Sequence, residues 1–98
     1  MADRKLIDET FKISAKRGNG SLRREVWVDR QGRVTRCNLA YINHRLHAGD
    51  NGRVIGYDNA HRYHHRHVFG QVEAVQFTCF EDIEARFEQD WIALRSTR

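Results

Sequence analysis

Between Tyr57 and Phe69 the chain reads YDNAHRYHHRHVF, and this stretch holds four of its six histidines, His61, His64, His65 and His67, beside Asp58, Asn59, Arg62 and Arg66. Imidazole titrates near neutral pH, so it can both take and give a proton under physiological conditions. In an extended backbone successive side chains alternate, which puts His65, His67 and Phe69 on one face and His64, Arg66 and Val68 on the other. Two imidazoles then project side by side, and three chemistries suit them. In the first, His65 and His67 are the base and acid of RNA cleavage: one takes the 2′-hydroxyl proton and the other protonates the leaving 5′-oxygen. Arg66 or Arg62 stabilises the phosphorane, and Asp58 orients an imidazole. In the second, His61, His65, His67 and Asp58 hold zinc or another divalent ion, although their spacing matches no tight metal signature. In the third, the same residues bind RNA or DNA phosphates without reacting, while Tyr57, Tyr63 and Phe69 offer stacking surfaces for unpaired bases. A reading without chemistry is also open: a solvated basic loop with Asp58-Asn59 as an Asx-type turn.

Such side chains need a scaffold, and the clearest part of it comes last. Phe80, Ile83, Phe87, Trp91 and Leu94 recur at spacings of three and four, one stripe of a helix over 79–95. Thr78 with Glu81 reads as its capping box, and Arg95 suits its final turn. The aromatic stripe is a face that covers a sheet. Ahead of it, Arg24 to Arg30 and Val34 to Asn43 form a hairpin around Asp29-Arg30-Gln31-Gly32. Thr35, Cys37, Leu39 and Tyr41 share one face of its second strand; Arg36, Asn38, Ala40 and Ile42 share the other. A turn over Ala48 to Gly52 leads to a short strand from Arg53 to Tyr57, and the runs His65 to Phe69 and Val72 to Phe77 flank Gly70. Near the start, Ile7, Glu9, Phe11 and Ile13 alternate as a strand does, and Arg17 to Ser21 turns the chain into the next one. The expected fold is α+β: an antiparallel sheet over 4–77 with a C-terminal amphipathic helix packed on one face, in one domain spanning 1–98.

Ninety-eight residues leave room for one small core and exclude a multidomain enzyme. The net charge of +4 is uneven. From Phe80 onward five acidic residues stand against three arginines, so this part carries −2 and the 14 basic and 8 acidic residues before it carry +6. An arginine-rich body suits a phosphate-bearing partner, with Arg23 and Arg24 on the sheet as candidate contacts. No apolar run reaches the roughly 18 residues of a membrane span, and Met1 to Glu9 is charged where a signal peptide has its apolar centre. The expectation is a cytoplasmic protein that does not engage membranes. Cys37 and Cys79 lack metal-ligand spacing and read as reduced structural thiols. Nothing in the sequence calls for a cofactor.

Tyr57-Asp58-Asn59, then His65-Arg66-His67, then Phe77 and Phe80-Glu81 entering a helix with Phe87 and Asp90, together resemble the TumE-like toxins of bacterial toxin–antitoxin systems. The likeness extends to Val26-Trp27 and to Leu39-Ala40-Tyr41, so it covers most of the chain. It implies a small cytoplasmic toxin that acts on RNA and is neutralised by a helix-turn-helix antitoxin. Its motif falls on Tyr57, Asp58, Asn59, His65, Arg66 and His67, with Arg62 where a basic residue is expected. The sequence-based expectation is therefore an RNA-directed toxin, possible homodimer, and metal-independent ribonuclease. His65 and His67 are its acid–base pair, Arg66 and Arg62 its phosphate ligands, and Asp58 its orienting group. The alternatives are a non-catalytic module that binds nucleic acid or protein through the basic sheet, and a histidine-rich metal site.

Overall fold

β-Branched and aromatic residues alternate with polar ones through most of the chain, and the computed structural model, which describes residues 3–59 and 63–95, turns that pattern into six strands. They are β1 (Arg4–Lys12), β2 (Ser21–Val28), β3 (Val34–Ile42), β4 (Arg53–Asp58), β5 (His65–Val68) and β6 (Gln71–Ala74), followed by the helix α1 (Phe80–Arg95). Each strand pairs antiparallel with the next, so the sheet is a meander in the order β1-β2-β3-β4-β5-β6 with α1 on one face: an α+β fold. The opening stretch is a strand, as expected. No helix among the described residues is long and apolar enough to cross a membrane.

The helix stripe packs as its spacing predicts. Ile83 and Phe87 are buried against Leu39, Tyr41, Val54, Ile55 and Tyr57, with Phe80, Trp91 and Leu94 packed around them. Six strands at about 4.8 Å spacing make a sheet wider than one helix of about 10 Å diameter can cover. The helix accordingly rests on β3 and β4. The helix begins at Phe80, which puts Cys79 rather than Thr78 at the N-cap position.

Besides β2, which runs Ser21–Val28 and not Arg24 to Arg30, three features differ from expectation. Phe69 is not in β5: at φ +46° it forms, with Gly70 at +81°, the two-residue turn into β6, and its ring meets His47 edge-on instead of joining the imidazole face. The last strand stops at Ala74, and Phe77 beyond it lies flat on His64 with ring centroids 4.1 Å apart. Third, β4 contains a bulge. Tyr41 pairs with Ile55 but Ile42 pairs with Arg53, so Val54 is extra. The bulge buries Val54 together with Ile55 and swings Arg53 onto the face opposite the helix.

Candidate functional site

Strand pairing builds the site. Asp58 pairs with His65 and Gly56 with His67 across β4 and β5, so Asp58 and both imidazoles stand on the sheet face turned away from α1. Residues directly opposite across an antiparallel pair have Cβ atoms about 5 Å apart, close enough for one short carboxylate to reach two rings. Asp58 Oδ1 lies 3.0 Å from His65 Nδ1, and Oδ2 lies 2.9 Å from His67 Nε2. The two rings are 5.7 Å apart. Tyr63, itself half exposed, places its ring 4.1 Å from that of His65, which is 5% exposed.

Arg53 completes the group. Its stem passes over Gly56, where a Cβ would come within 2.7 Å of Arg53 Cδ. From there Nη2 donates to His67 Nδ1 at 3.1 Å and Nη1 to Asp58 Oδ2 at 3.4 Å, while Nε and Nη2 hold the Asp50 carboxylate in a fork. That guanidinium holds the Asp50 carboxyl below its usual range.

These partners assign the ring protons. A guanidinium only donates, so His67 Nδ1 accepts and the His67 proton sits on Nε2, facing Asp58 but out of line for a good hydrogen bond. His65 Nδ1 faces two oxygens, the backbone carbonyl of Asp58 at 3.2 Å and its Oδ1, so Nδ1 carries the proton and Nε2 the lone pair. The two imidazoles are thus held as opposite tautomers, one with a basic nitrogen and one with an N–H at the corresponding position. A carboxylate on Nδ1–H is the device that orients a histidine base.

Asp58, His65 and His67 also offer ligand atoms within 4.8 Å of one another, a set that could hold a divalent ion. Arg53 opposes this, because its fixed positive charge sits against two of the three ligands. His61, the fourth expected ligand, and Arg62 lie outside the described residues.

The other expected site residues are distributed elsewhere. Arg66 projects to the helix face, where Nε donates to Asp90 at 3.1 Å and Nη1 to Glu73 at 2.9 Å. Burial lowers the Arg66 pKa, but the Asp90 and Glu73 hydrogen bonds outweigh it and raise it above its ordinary value. Tyr57 is buried on that same face and donates its hydroxyl to Asp90 at 2.5 Å; burial first, then Asp90, pushes it up to about 12. Asn59 clamps the end of β3, accepting from the Cys37 amide and donating to the Thr35 carbonyl. Arg23 shares the face of the imidazoles but pairs with Asp8 and Glu25, and Arg24, on the helix face, pairs with Glu9 and Glu84. Cys37 is buried, which raises its thiol to about 11, whereas Cys79 is exposed. His64, stacked on Phe77, has its pKa lowered by burial and then by the neighbouring His65. Of the expected group the structure therefore brings together Asp58, His65, His67 and Tyr63, and adds Arg53 and Asp50.

No known protein family, curated protein or solved structure matches this chain. The site has to be interpreted from its own geometry.

Proposed function

We propose that this protein is an RNA-directed toxin of the TumE-like kind that cleaves RNA without a metal, using His65 and His67 as its acid–base pair. The observation that carries the reading is the single Asp58 carboxylate with one oxygen on each imidazole. His65, with its Nδ1–H held by Asp58, takes the 2′-hydroxyl proton at Nε2, and the oxygen so freed attacks the adjacent phosphorus. His67, as imidazolium, gives its Nδ1 proton to the leaving 5′-oxygen and returns to the Nε2–H tautomer that faces Asp58. Protonating His67 at Nδ1 displaces the Arg53 donor from that atom and turns the guanidinium toward the phosphoryl oxygens. Arg53 takes the role first expected of Arg66, and Tyr63 offers a ring for a flanking base. A helix-turn-helix antitoxin is the partner that goes with this reading.

His65→Ala and His67→Ala should each abolish growth inhibition and RNA cleavage in the presence of chelator while circular dichroism stays native. Toxicity that persists in the double variant overturns the assignment. The convergence of three ligand atoms supports one second reading, a divalent-ion site. Stoichiometric zinc in the purified protein, lost with His65→Ala, selects it.

A further inference from the structure

Seven of the described cations are already answered by carboxylates. Lys5, Arg23, Arg24, Arg33, Arg53, Arg66 and Arg86 each lie within ion-pair distance of an Asp or Glu. The basic excess therefore has to emerge somewhere else. Among the described residues Arg4, Lys12, Lys16, Arg17, Arg36, Arg45 and Arg95 have no such partner, and four of them, Lys12, Lys16, Arg17 and Arg95, gather where β1 ends, the chain makes a helical turn over Ala15–Arg17, and α1 finishes. Three of them, Lys12, Arg17 and Arg95, line one hollow of about 360 Å³ together with Ile13, Ser14 and Trp91.

That corner is rigidly built. Gly18, at φ +120°, lies so close to α1 that a Cβ there would come within 2.7 Å of Arg95 Cβ and 3.0 Å of its carbonyl oxygen, so only glycine lets the turn close. Behind it Tyr41 donates its hydroxyl to the Asn19 carbonyl at 2.9 Å, and the buried Asn43 donates to the Gly18 carbonyl at 3.0 Å. Arg95 stacks its guanidinium 5.1 Å above the Trp91 ring. Trp91 is also the shared wall of a second hollow of about 490 Å³ along the helix, floored by Phe11, Leu22 and Leu39 and rimmed by Arg24, Glu84 and Glu88. Phe11 is 48% exposed there.

A cationic pocket running into an aromatic trough asks for a ligand with anionic groups at one end and flat apolar faces beside them. We propose that the corner formed by Lys12, Arg17, Arg95 and Trp91 binds single-stranded RNA, its phosphates on the three cations and a base against Trp91 and Phe11. Glu84 is already paired with Arg24, so it is the Glu88 carboxylate that repels phosphate from the trough, while an uncharged base can enter. Arg95 first offsets the negative end of the helix dipole, leaving Lys12 and Arg17 as the surplus charge. The inference rests on the RNA-directed reading above and gives it a substrate-holding surface separate from the histidines.

The test uses the full chain with Trp27→Phe, which leaves Trp91 as the fluorophore, titrated with a 12-nucleotide single-stranded RNA at low salt. RNA should quench Trp91. The Lys12→Ala/Arg17→Ala/Arg95→Ala variant, with native circular dichroism, should bind at least about tenfold more weakly, with a slope of log K against log salt shallower by about 2. Arg33→Ala, which removes an already paired cation, should change affinity less than about twofold. Equal binding by the triple variant, or no RNA binding by the wild-type chain, overturns the inference. Polyglutamate quenching Trp91 as well as RNA does so too, reassigning the corner to an acidic protein. Cleavage is scored separately with His65→Ala/His67→Ala: RNA held at the corner but never cut by wild-type protein leaves the corner standing and removes the histidine mechanism alone.

Discussion

The two faces of the β4–β5 ribbon make different use of the same alternating residues. On the helix side Tyr57 and Arg66 converge on Asp90, and Glu73 takes the remaining arm of Arg66. On the other side Asp58, His65 and His67 converge with Arg53 and Asp50. Both clusters are carboxylates bound to nitrogen and hydroxyl donors. The helix-side cluster joins α1 to the sheet using one group that never loses its charge and one phenol held neutral. The other joins nothing to the sheet, and two of its members are imidazoles that share one carboxylate. A histidine-arginine-histidine sequence in a strand is therefore divided by the pleat into one residue that fastens the helix and two that meet Asp58 on the opposite face.

The helix-side face carries the larger share of the stability. Ile83, fully buried against the sheet, should cost about 3 kcal/mol of unfolding free energy when changed to alanine, through lost transfer energy and the cavity left behind. Asp58→Asn, on the other face, should cost about 1 kcal/mol, since it weakens hydrogen bonds without removing any packing. Urea denaturation of both variants measures the difference, and equal losses would mean that the two faces do not divide stability from chemistry.

A pH series sharpens the same contrast. Tyr57 has a folded pKa of about 12 against an ordinary 10, so its neutral form is the one the fold favours. Its contribution is fully present below pH 10 and is lost as pH rises toward 12. Lys5, raised by Glu25 and Asp8, loses its contribution in the same direction, so the informative quantity is the difference between wild type and Tyr57→Phe. The variant should be less stable by about 1 kcal/mol at pH 7, where the bond to Asp90 is missing, and the gap should shrink above pH 10. A gap that stays constant to pH 12 would show that the phenol does not fasten the helix in its neutral form.

Much of this arrangement was legible in the sequence, and the reasons are local. The α1 stripe from Phe80 to Leu94 has the helical period, and Cys37, Leu39 and Tyr41 have the period of a strand, so the core could be located without a structure. The shared face of His65 and His67 followed from the same alternation. Asp58 reaching both rings did not, because that depends on the β4–β5 register and not on spacing along the chain. Arg53 was invisible for a sharper reason: strict alternation puts it on the face of Ile55 and Tyr57, and only the bulge at Val54 moves it across. Arg23, Arg24 and Arg66 read as free phosphate ligands because sequence gives charge without partners, and each has a carboxylate waiting on a strand or helix distant in the chain.

The smallest expected effect on stability carries the most specific test of the Arg53 assignment. Gly56 has no need of glycine's backbone freedom, so Gly56→Ala asks only for space. The added methyl would meet Arg53 Cδ at 2.7 Å and the Leu39 carbonyl oxygen at 3.1 Å. The first is part of a flexible side chain that can swing away, and the second must yield by a few tenths of an ångström. That crowding costs about 1 kcal/mol, and the reduced freedom of the unfolded chain offsets about half of it, so the melting curve should scarcely move. The Arg53 stem, however, can no longer lie across the sheet, and His67 Nδ1 loses the donor that fixes its proton on Nε2. Long-range proton–nitrogen correlation spectra should then show His67 shifting toward a mixture of tautomers while His65, held by Asp58, keeps its proton on Nδ1. An unchanged His67 Nδ1 signal would mean that Asp58 alone sets the tautomer, and Arg53 would lose its role beside the imidazoles. If the signal moves and RNA cleavage falls with it, Arg53 acts by positioning His67, on a face where the fold's stability is not at stake.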